Sequence, residues 1–250
     1  MTEPETARDA PAVRPAPLIV RRDAEIFATD GGWFRGRWHF SFDHYYDPDH
    51  MGIGKMRVFN HDTLIAGATW PMHPHRDVEG ISYIPAGVFE HADSLGNGGV
   101  LPAGSVQRMT LGSGALHSES NHSKTEPVEF IQIWIMPAER GLTPSVEQKQ
   151  YGIDDRRNRL LQILRPAGTD GEGVTVHQEV WMYVSHLEPG RSVEHTIGEG
   201  RGGYFYLISG DIDLNDERLT TGDAASVFDA GSLAITAHSP SELILVDTPL

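Results

Sequence analysis

The chain has 250 residues, a net charge of −15 at pH 7, 27 glycines, 16 prolines and no cysteine. The negative charge argues against direct binding to DNA or RNA, because the phosphates would be repelled, and the lack of cysteine excludes a disulfide-stapled scaffold. No apolar run approaches the roughly 18–20 residues that span a bilayer, so we expect a cytoplasmic protein without a membrane segment.

The N-terminal region divides into a leader and an aromatic segment. Residues 1–17 contain four prolines and mixed charges but no apolar core, which predicts a disordered leader rather than a targeting sequence. Residues 31–49 are rich in aromatic side chains, including Trp33, Tyr45 and Tyr46. We expect these rings to fill a core rather than to stack on a ligand.

Residues 18–150 are predicted to form a first β unit. Short apolar runs indicate strands at 56–59, 80–84 and 128–136, and the last of these is apolar almost throughout, as in a strand buried on both faces. The Asn-His-Asp sequence at 60–62 is predicted to be a turn. Glycine-rich stretches at 96–99 and 102–104 indicate further turns, and the polar residues 137–150 are predicted to be a crossover.

Residues 151–250 repeat the same rhythm of strands and glycine turns. The predicted strands are 160–164, 180–187, 204–208, 225–228 and 243–246. The chain is therefore predicted to be all-β, a duplicated antiparallel sandwich or barrel.

Two short motifs indicate a metal site. His73-Pro74-His75 and His117-Ser118-Glu119 each place two donor side chains at i and i+2, which lie on one face of a strand about 6–7 Å apart. On strands that face each other across a barrel, the two pairs would offer three imidazole nitrogens and one carboxylate oxygen. This donor set suits iron(II), nickel, copper, manganese or zinc without separating them well. With thirteen histidines in the chain, a chance pairing is the alternative.

Other polar residues near the motifs have two interpretations each. Glu79 either orients a ligating imidazole or hydrogen-bonds within its strand, and Gln107 is either a neighbour of the metal or a satisfied core amide. Arg76 either attracts an anionic substrate or forms a structural ion pair. His91 and His122 are predicted to be structural or exposed. Trp134 is predicted to be a core residue.

The combined motifs resemble the pirin family of the cupin superfamily. The similarity lies in the run from His73 to Glu79, in the His-Ala-Asp-Ser sequence at 91–94, in Pro-Ala-Gly at 102–104 and in the run from Gln107 to Glu119. It extends from about residue 20 to 250, strongly in the first half and weakly in the second. The resemblance implies a bicupin, two antiparallel β-barrels or jelly rolls packed together, with the metal in the N-terminal barrel, residues 18–150. The C-terminal barrel, residues 151–250, lacks such motifs around His177, His186, His195 and His238, and we expect it to be metal-free.

The resemblance also implies the ligands and two kinds of function. Its metal ligands match His73, His75, His117 and Glu119, and the cofactor is one divalent metal, commonly Fe(II), with Ni, Cu, Mn or Zn as alternatives. Some members are similar to quercetin 2,3-dioxygenases, which implies a small aromatic, flavonol-like substrate, and we expect Glu119 to be the catalytic base as well as a ligand. Other members act through a protein partner, as regulators of transcription or metabolism.

Overall fold

A computed structural model describes residues 14–250 of the chain, so most of the predicted leader lies outside the described residues. The sequence predicts that ordered structure starts at Leu18. In the structure, contacts with strands are already present at Ala16. Ala16 is buried, and its backbone N–H donates to the carbonyl of Ser232 at 2.9 Å.

Strands make up most of the described chain. Those up to residue 150 are β1 (Ile19–Arg21), β2 (Phe27–Asp30), β3 (Phe34–Trp38), β4 (Met56–Leu64), β5 (Thr69–His75), β6 (Glu79–Ala86), β7 (Val88–Asp93), β8 (Gly98–Pro102), β9 (Ser105–Thr110), β10 (Ala115–Asn121), β11 (Val128–Ile135) and β12 (Ser145–Gln150). The later strands are β13 (Leu161–Pro166), β14 (Val174–Val176), β15 (Trp181–Leu187), β16 (Ser192–Ile197), β17 (Arg201–Ser209), β18 (Asp211–Leu214), β19 (Glu217–Thr220), β20 (Ala224–Val227), β21 (Gly231–Ala237) and β22 (Ser241–Pro249). A 3₁₀ turn (Asp23–Glu25) and a single-turn helix α1 (Ile153–Arg156) are the helical segments of residues 14–250. Neither is long and apolar enough to cross a membrane.

The strands form two units with the same plan. The first unit has a seven-stranded sheet, β12-β9-β6-β11-β4-β3-β2, and a four-stranded sheet, β5-β10-β7-β8. The second unit has a seven-stranded sheet, β1-β20-β17-β22-β15-β13-β14, and a four-stranded sheet, β16-β21-β18-β19. The protein is therefore nearly all-β with two cupin-type units, as predicted. The predicted barrels are not closed, because each unit is a jelly roll of two separately hydrogen-bonded sheets.

The largest apolar core lies between the two seven-stranded sheets. It joins side chains of both units, among them Phe59, Tyr83, Met182, Tyr204 and Ile244. Alternation along the strands places these residues on one face of each sheet and leaves the opposite face for the interior of its own unit. The large sheets thus pack face to face and hold the two units together.

The interiors of the two units differ. The second unit has one continuous apolar core, which includes Phe205, Leu233 and Leu245. The first unit has two smaller apolar clusters, one around Phe89 and one around Met109. Polar side chains interrupt its interior and leave room for a cavity.

The predicted strands are present, with two local corrections. Residues 60–62 are not a turn but the middle of β4, which pairs with β11 along its length and with β3 from Asn60 to Leu64. Part of the predicted crossover at 137–150 forms the edge strand β12, because its polar side chains lie at the margin of the sheet beside β9. The turns at 96–99 and 102–104 connect β7 to β8 and β8 to β9.

The division of the chain at residue 150 remains a proposal. β1 lies in the sheet of the second unit, where it pairs with β20, although residues 18–150 were assigned to the first unit. The first strand of the described chain therefore belongs to the sheet of the C-terminal unit.

Candidate metal centre

The two histidine motifs lie side by side in the four-stranded sheet of the first unit. His73 and His75 are on β5, and His117 and Glu119 are on β10, with His117 directly opposite His73. The register shifts between His117 and Glu119, where Pro71 and Met72 of β5 lie opposite the single residue Ser118. β5 therefore carries a bulge next to His73, which re-aims the side chains. The motifs were expected on strands that face each other across a barrel; they lie instead on neighbouring antiparallel strands.

Three histidines converge within this sheet. One ring nitrogen from each of His73, His75 and His117 lies within 4.8 Å of the others, and their ring centroids are 4.5–5.1 Å apart. The Nδ1 of His73 lies 2.8 Å from the carbonyl oxygen of Pro71. A carbonyl can only accept, so His73 carries its proton on Nδ1 and presents a bare Nε2 to the cluster.

Other donors of the group have no partner in the protein. Both ring nitrogens of His117 and the Oε1 atom of Glu119 are buried, with no hydrogen bond to any described residue. Leaving such groups unpaired costs about 1–3 kcal/mol each. Glu119 is outside the group of three that lies within 4.8 Å, but it lines the same cavity as the histidines. These donors fit a divalent metal ion, which would satisfy the orphaned atoms.

Burial keeps the histidines neutral. Loss of solvent, followed by the neighbouring imidazoles, lowers the pKa of His117 to about 3, and loss of solvent and His73 lower the pKa of His75 to about 4. Protons therefore do not compete with a metal for these rings near pH 7. Burial first, then the Asp62 carboxyl, raises the pKa of Glu119 to about 8. Burial also raises the pKa of Asp62 to about 7, opposed by a hydrogen bond from Trp38.

The cluster opens into an aromatic cavity of about 250 Å³. Six aromatic side chains line it: Phe34, Trp38, Phe42, Trp70, Phe130 and Trp134. Four further polar side chains, Asp43, Asn60, Asp62 and Gln132, also face it. An apolar slot with a few polar groups is typical of a site for a planar organic molecule.

A larger cavity of about 530 Å³ lies where the two units meet. Its charges are already paired, as in Arg37 with Asp23 at 3.0 Å and Arg35 with Asp30 at 3.3 Å. It is mostly open and offers no cluster of unpaired donors. The smaller cavity beside the histidines is therefore the better candidate for a functional site.

Several predicted neighbours of the metal lie elsewhere. Glu79 is fully buried and accepts hydrogen bonds from His177 Nδ1 at 2.7 Å and from Thr110 at 2.8 Å, so it contacts the second unit rather than a histidine of the cluster. Gln107 accepts from Gln148 Nε2 at 2.7 Å and is a satisfied core amide.

Of the aromatic and charged residues singled out in the sequence, Trp134 lines the cavity, whereas Tyr45, Tyr46 and Arg76 do not. Trp134 was predicted to be a core residue, but it lines the cavity and packs edge-on against His75 at 4.8 Å. Tyr45 stacks on Phe27, and Tyr46 is exposed. Arg76 is exposed and lies 3.5 Å from Asp77.

Sequence reasoning missed three residues of the site. Asn60 and Asp62 were assigned to a turn, and the signal that would have placed them is their i, i+2 spacing within the Val58–Leu64 alternation of β4. His91 was grouped with His122. His122 is indeed exposed and paired with Glu90, whereas His91 is buried, with its ring centroid 5.8 Å from that of His117.

The second unit has different chemistry at the matching place. β16 and β21 occupy the positions that β5 and β10 have in the first unit. β21 presents buried Leu233 and Ile235, and His195 on β16 is hydrogen-bonded to Asp247 at 2.8 Å. His177 and His238 also bond carboxylates. The absence of metal from this unit stays a prediction.

Comparison with known proteins matches each half of the chain to a family model. Residues 20–135 match the pirin family model, and residues 162–248 match the model described as the quercetinase C-terminal cupin domain. The chain is 37% identical over 233 residues to a quercetin 2,3-dioxygenase of Escherichia coli strain K12, a match that covers 93% of this chain and 99% of the relative. It is 35% identical over 223 residues to a pirin-like protein of Caulobacter vibrioides, with 89% and 96% covered.

Solved structures agree with this grouping. The crystal structure of the bacterial pirin YhhW from Escherichia coli in complex with nickel(II) superposes with a TM-score of 0.87 at 36% identity, covering 93% of this chain and 99% of that one. A quercetin 2,3-dioxygenase from Acinetobacter baumannii has a similar fold, with a TM-score of 0.74 at 18% identity, covering 95% and 87%. From the histidine cluster, the two cupin-type units and these similarities over nearly the whole length, the chain belongs to the pirin family.

Proposed function

We propose that the protein is a metal-dependent dioxygenase of the pirin type that oxidatively cleaves a flavonol such as quercetin. Its cofactor would be one divalent metal, Fe(II) in the first place, held by His73, His75, His117 and Glu119. The observation that carries the proposal is the cluster of three converging imidazoles at the wall of an aromatic cavity. The names of the relatives and the nickel in the related crystal structure support it.

The side chains of the cavity supply the other parts of the chemistry. When bound, the metal would act as a Lewis acid that lowers the pKa of a substrate hydroxyl. Trp38, Trp70 and Trp134 form apolar walls that hold a planar ring and exclude water. Glu119 has a buried oxygen without a hydrogen-bond partner in the described chain, and this oxygen would accept the proton of that hydroxyl. Without a bound cation, burial raises the pKa of Glu119 to about 8, so its ionisation to a carboxylate would accompany metal binding.

The test is oxygen uptake by the iron-loaded protein with quercetin in air. We expect flavonol absorbance to fall in step with oxygen consumption, and the metal-free protein to show neither change. The metal itself is identified by elemental analysis of protein purified without chelators or added metal. Wild-type protein with bound metal but without turnover would contradict the enzyme and favour the alternative, a metal-binding regulator that acts through a protein partner.

Two variants separate the role of Glu119 from metal binding. Glu119→Gln keeps three histidines and an amide oxygen, so we expect it to retain much of its metal while turnover falls by about 10²–10⁴-fold, as for a lost general base. His75→Ala should lose metal and activity together. A Glu119→Gln protein with full metal and unchanged flavonol cleavage would exclude the base role.

A further inference from the structure

A row of polar side chains crosses the interior of the first unit at one level of its large sheet. The strand register places Gln132 opposite both Asn60 and Ser82, and Ser82 opposite Gln107. Gln107 in turn lies opposite Gln148 on the edge strand. Buried polar groups normally have hydrogen-bond partners. A member of this row without a partner therefore indicates a place where another molecule can bind.

The row is hydrogen-bonded at the edge strand, whereas its end at the cavity has a polar group without a partner in the described chain. Gln148 donates to Gln107 at 2.7 Å, and Ser82 Oγ donates to Gln132 Oε1 at 2.6 Å. The second bond occupies the acceptor of the Gln132 amide and fixes its orientation. The Nε2 group of Gln132 is then left as a donor without a hydrogen-bond partner within residues 14–250, in a side chain that lines the cavity.

Two acceptors lie beside this donor. Asn60 is 1% exposed, and its Oδ1 atom has no hydrogen-bond partner in the described chain. Asp62 accepts from Trp38 Nε1 at 3.2 Å through Oδ1, which leaves its second oxygen without a donor among residues 14–250. Asn60, Asp62 and Gln132 therefore offer two free acceptors and one free donor among the aromatic walls of the cavity.

We propose that Asn60, Asp62 and Gln132 form a hydrogen-bonding subsite for ring hydroxyl groups, so that the cavity selects polyhydroxylated planar aromatics. A phenolic hydroxyl would donate to an oxygen of Asn60 or Asp62 and accept from the Gln132 amide. An analogue without ring hydroxyls would leave these buried groups unpaired, which is how a polar site rejects an apolar analogue. The inference rests on the proposed function, since the metal would hold another edge of the same molecule.

The test compares two flavonols on zinc-loaded protein, because zinc has no redox chemistry and binding can be measured without turnover. Quercetin and 3-hydroxyflavone share the 3-hydroxy-4-oxo group, but only quercetin carries further ring hydroxyls. Dissociation constants come from quenching of tryptophan fluorescence, since three tryptophans line the cavity. We expect wild-type protein to bind quercetin at least ~10-fold more tightly, the value of about one hydrogen bond.

Three variants isolate the subsite. Asn60→Leu keeps the side-chain size and should abolish most of the quercetin preference. It should bind 3-hydroxyflavone at least as tightly as wild-type protein does, because no amide is then left unpaired, which also shows that the cavity is intact. Asp62→Asn replaces an acceptor by a donor and should likewise weaken quercetin alone. The control Thr63→Val lies on the same strand but faces the other way, and it should retain the preference.

Two results would overturn the inference in different ways. Equal binding of both flavonols by wild-type protein, or a full quercetin preference in both Asn60→Leu and Asp62→Asn, would remove the subsite and leave the proposed function standing. Binding of neither flavonol by zinc-loaded wild-type protein would remove the proposed substrate as well.

Discussion

At the scale of single residues, the least explained side chain of the site is His91. It is 1% exposed, both of its ring nitrogens lack a hydrogen-bond partner among residues 14–250, and its ring centroid is 5.8 Å from that of His117. Burial lowers the pKa of His91, opposed by Asp93, so the ring is neutral and has a lone pair to offer. A metal-ligating histidine normally donates its second ring N–H to such an acceptor.

His91 and His117 are not hydrogen-bonded to each other in the described chain. We expect His91 to accept the second ring N–H of His117 when a metal is bound, and so to orient His117. We predict that His91→Phe lowers metal affinity by about 10–100-fold, the usual effect of losing a partner of a ligating histidine. His91→Gln, which retains an acceptor oxygen, should recover most of the affinity. Competition with a chelator of known affinity measures both variants, and the exposed His122→Ala is the control. Equal affinities in wild-type protein and His91→Phe would show that His91 only fills space.

At the scale of elements, the sequence predicted strand positions better than strand neighbours. Apolar runs such as 128–136 gave β11 within one residue of its end, because alternation and burial are local properties of a strand. The polar middle of β4 was assigned to a turn because Asn and Asp are common turn residues. Pairing with β3 and β11 on both sides overrides that local preference, and no local pattern reports such pairing.

The metal site shows the same limit. The i, i+2 spacing of each motif fixed which side chains share a face, and the resemblance to a family supplied the combination of the two motifs. The spacing contains no information on whether β5 and β10 are neighbours or face each other. The cavity walls also come from distant segments, with Trp38 on β3 and Trp134 on β11, and only the fold brings them together.

Turns in the first unit depend on glycine for two separable reasons. Gly104, between β8 and β9, has φ +85°, and a Cβ atom there would lie 2.1 Å from the carbonyl oxygen of Tyr151. Gly96, in the β7–β8 hairpin, has a similar φ of +87° but open space around it. Both positions disfavour a side chain by conformation, whereas only Gly104 also requires close approach of another backbone segment.

The comparison of these two glycines gives a prediction. Gly96→Ala should lower the free energy of unfolding by about 1 kcal/mol, the cost of left-handed backbone in an L-residue. Gly104→Ala should cost about 1–3 kcal/mol more, because the chain must also move away from Tyr151. Urea denaturation of both variants measures the difference. Equal losses of stability would mean that the backbone at Tyr151, just after β12, can move without lowering the free energy of unfolding.

At the scale of the whole molecule, polar contacts accompany the apolar core between the two units. His39 Nδ1 lies 2.6 Å from the Tyr204 hydroxyl, and His61 Nδ1 lies 2.8 Å from the Tyr206 hydroxyl. Each bond joins a residue of the first unit to β17 of the second. Since β1 also lies in the second unit's sheet, we expect the two units to unfold together.

A buried ion pair within the second unit is linked to the first unit through Tyr83. Arg156, on α1, contacts Glu242 on β22, and the hydroxyl of Tyr83 on β6 donates to the same carboxylate at 2.6 Å. The side chains of Arg156 and Glu242 are 5% and 14% exposed. By contrast, Arg35 and Asp30 form a pair whose side chains are 80% and 60% exposed. The two pairs have the same chemistry in very different surroundings.

Removal of one carboxylate from each pair tests how much burial changes the contribution of an ion pair to stability. Glu242→Ala leaves the Arg156 charge buried without its partner, which typically costs about 3–5 kcal/mol. Asp30→Ala breaks a solvent-exposed pair, which typically contributes about 0–1 kcal/mol. We therefore expect Glu242→Ala to lower Tm by roughly 6 °C or more and Asp30→Ala by no more than about 4 °C, on the scale for chains of this size. Thermal melts followed by circular dichroism measure both. Similar melting temperatures for the two variants would show that water reaches Arg156 and that the buried pair contributes no more to stability than the exposed one.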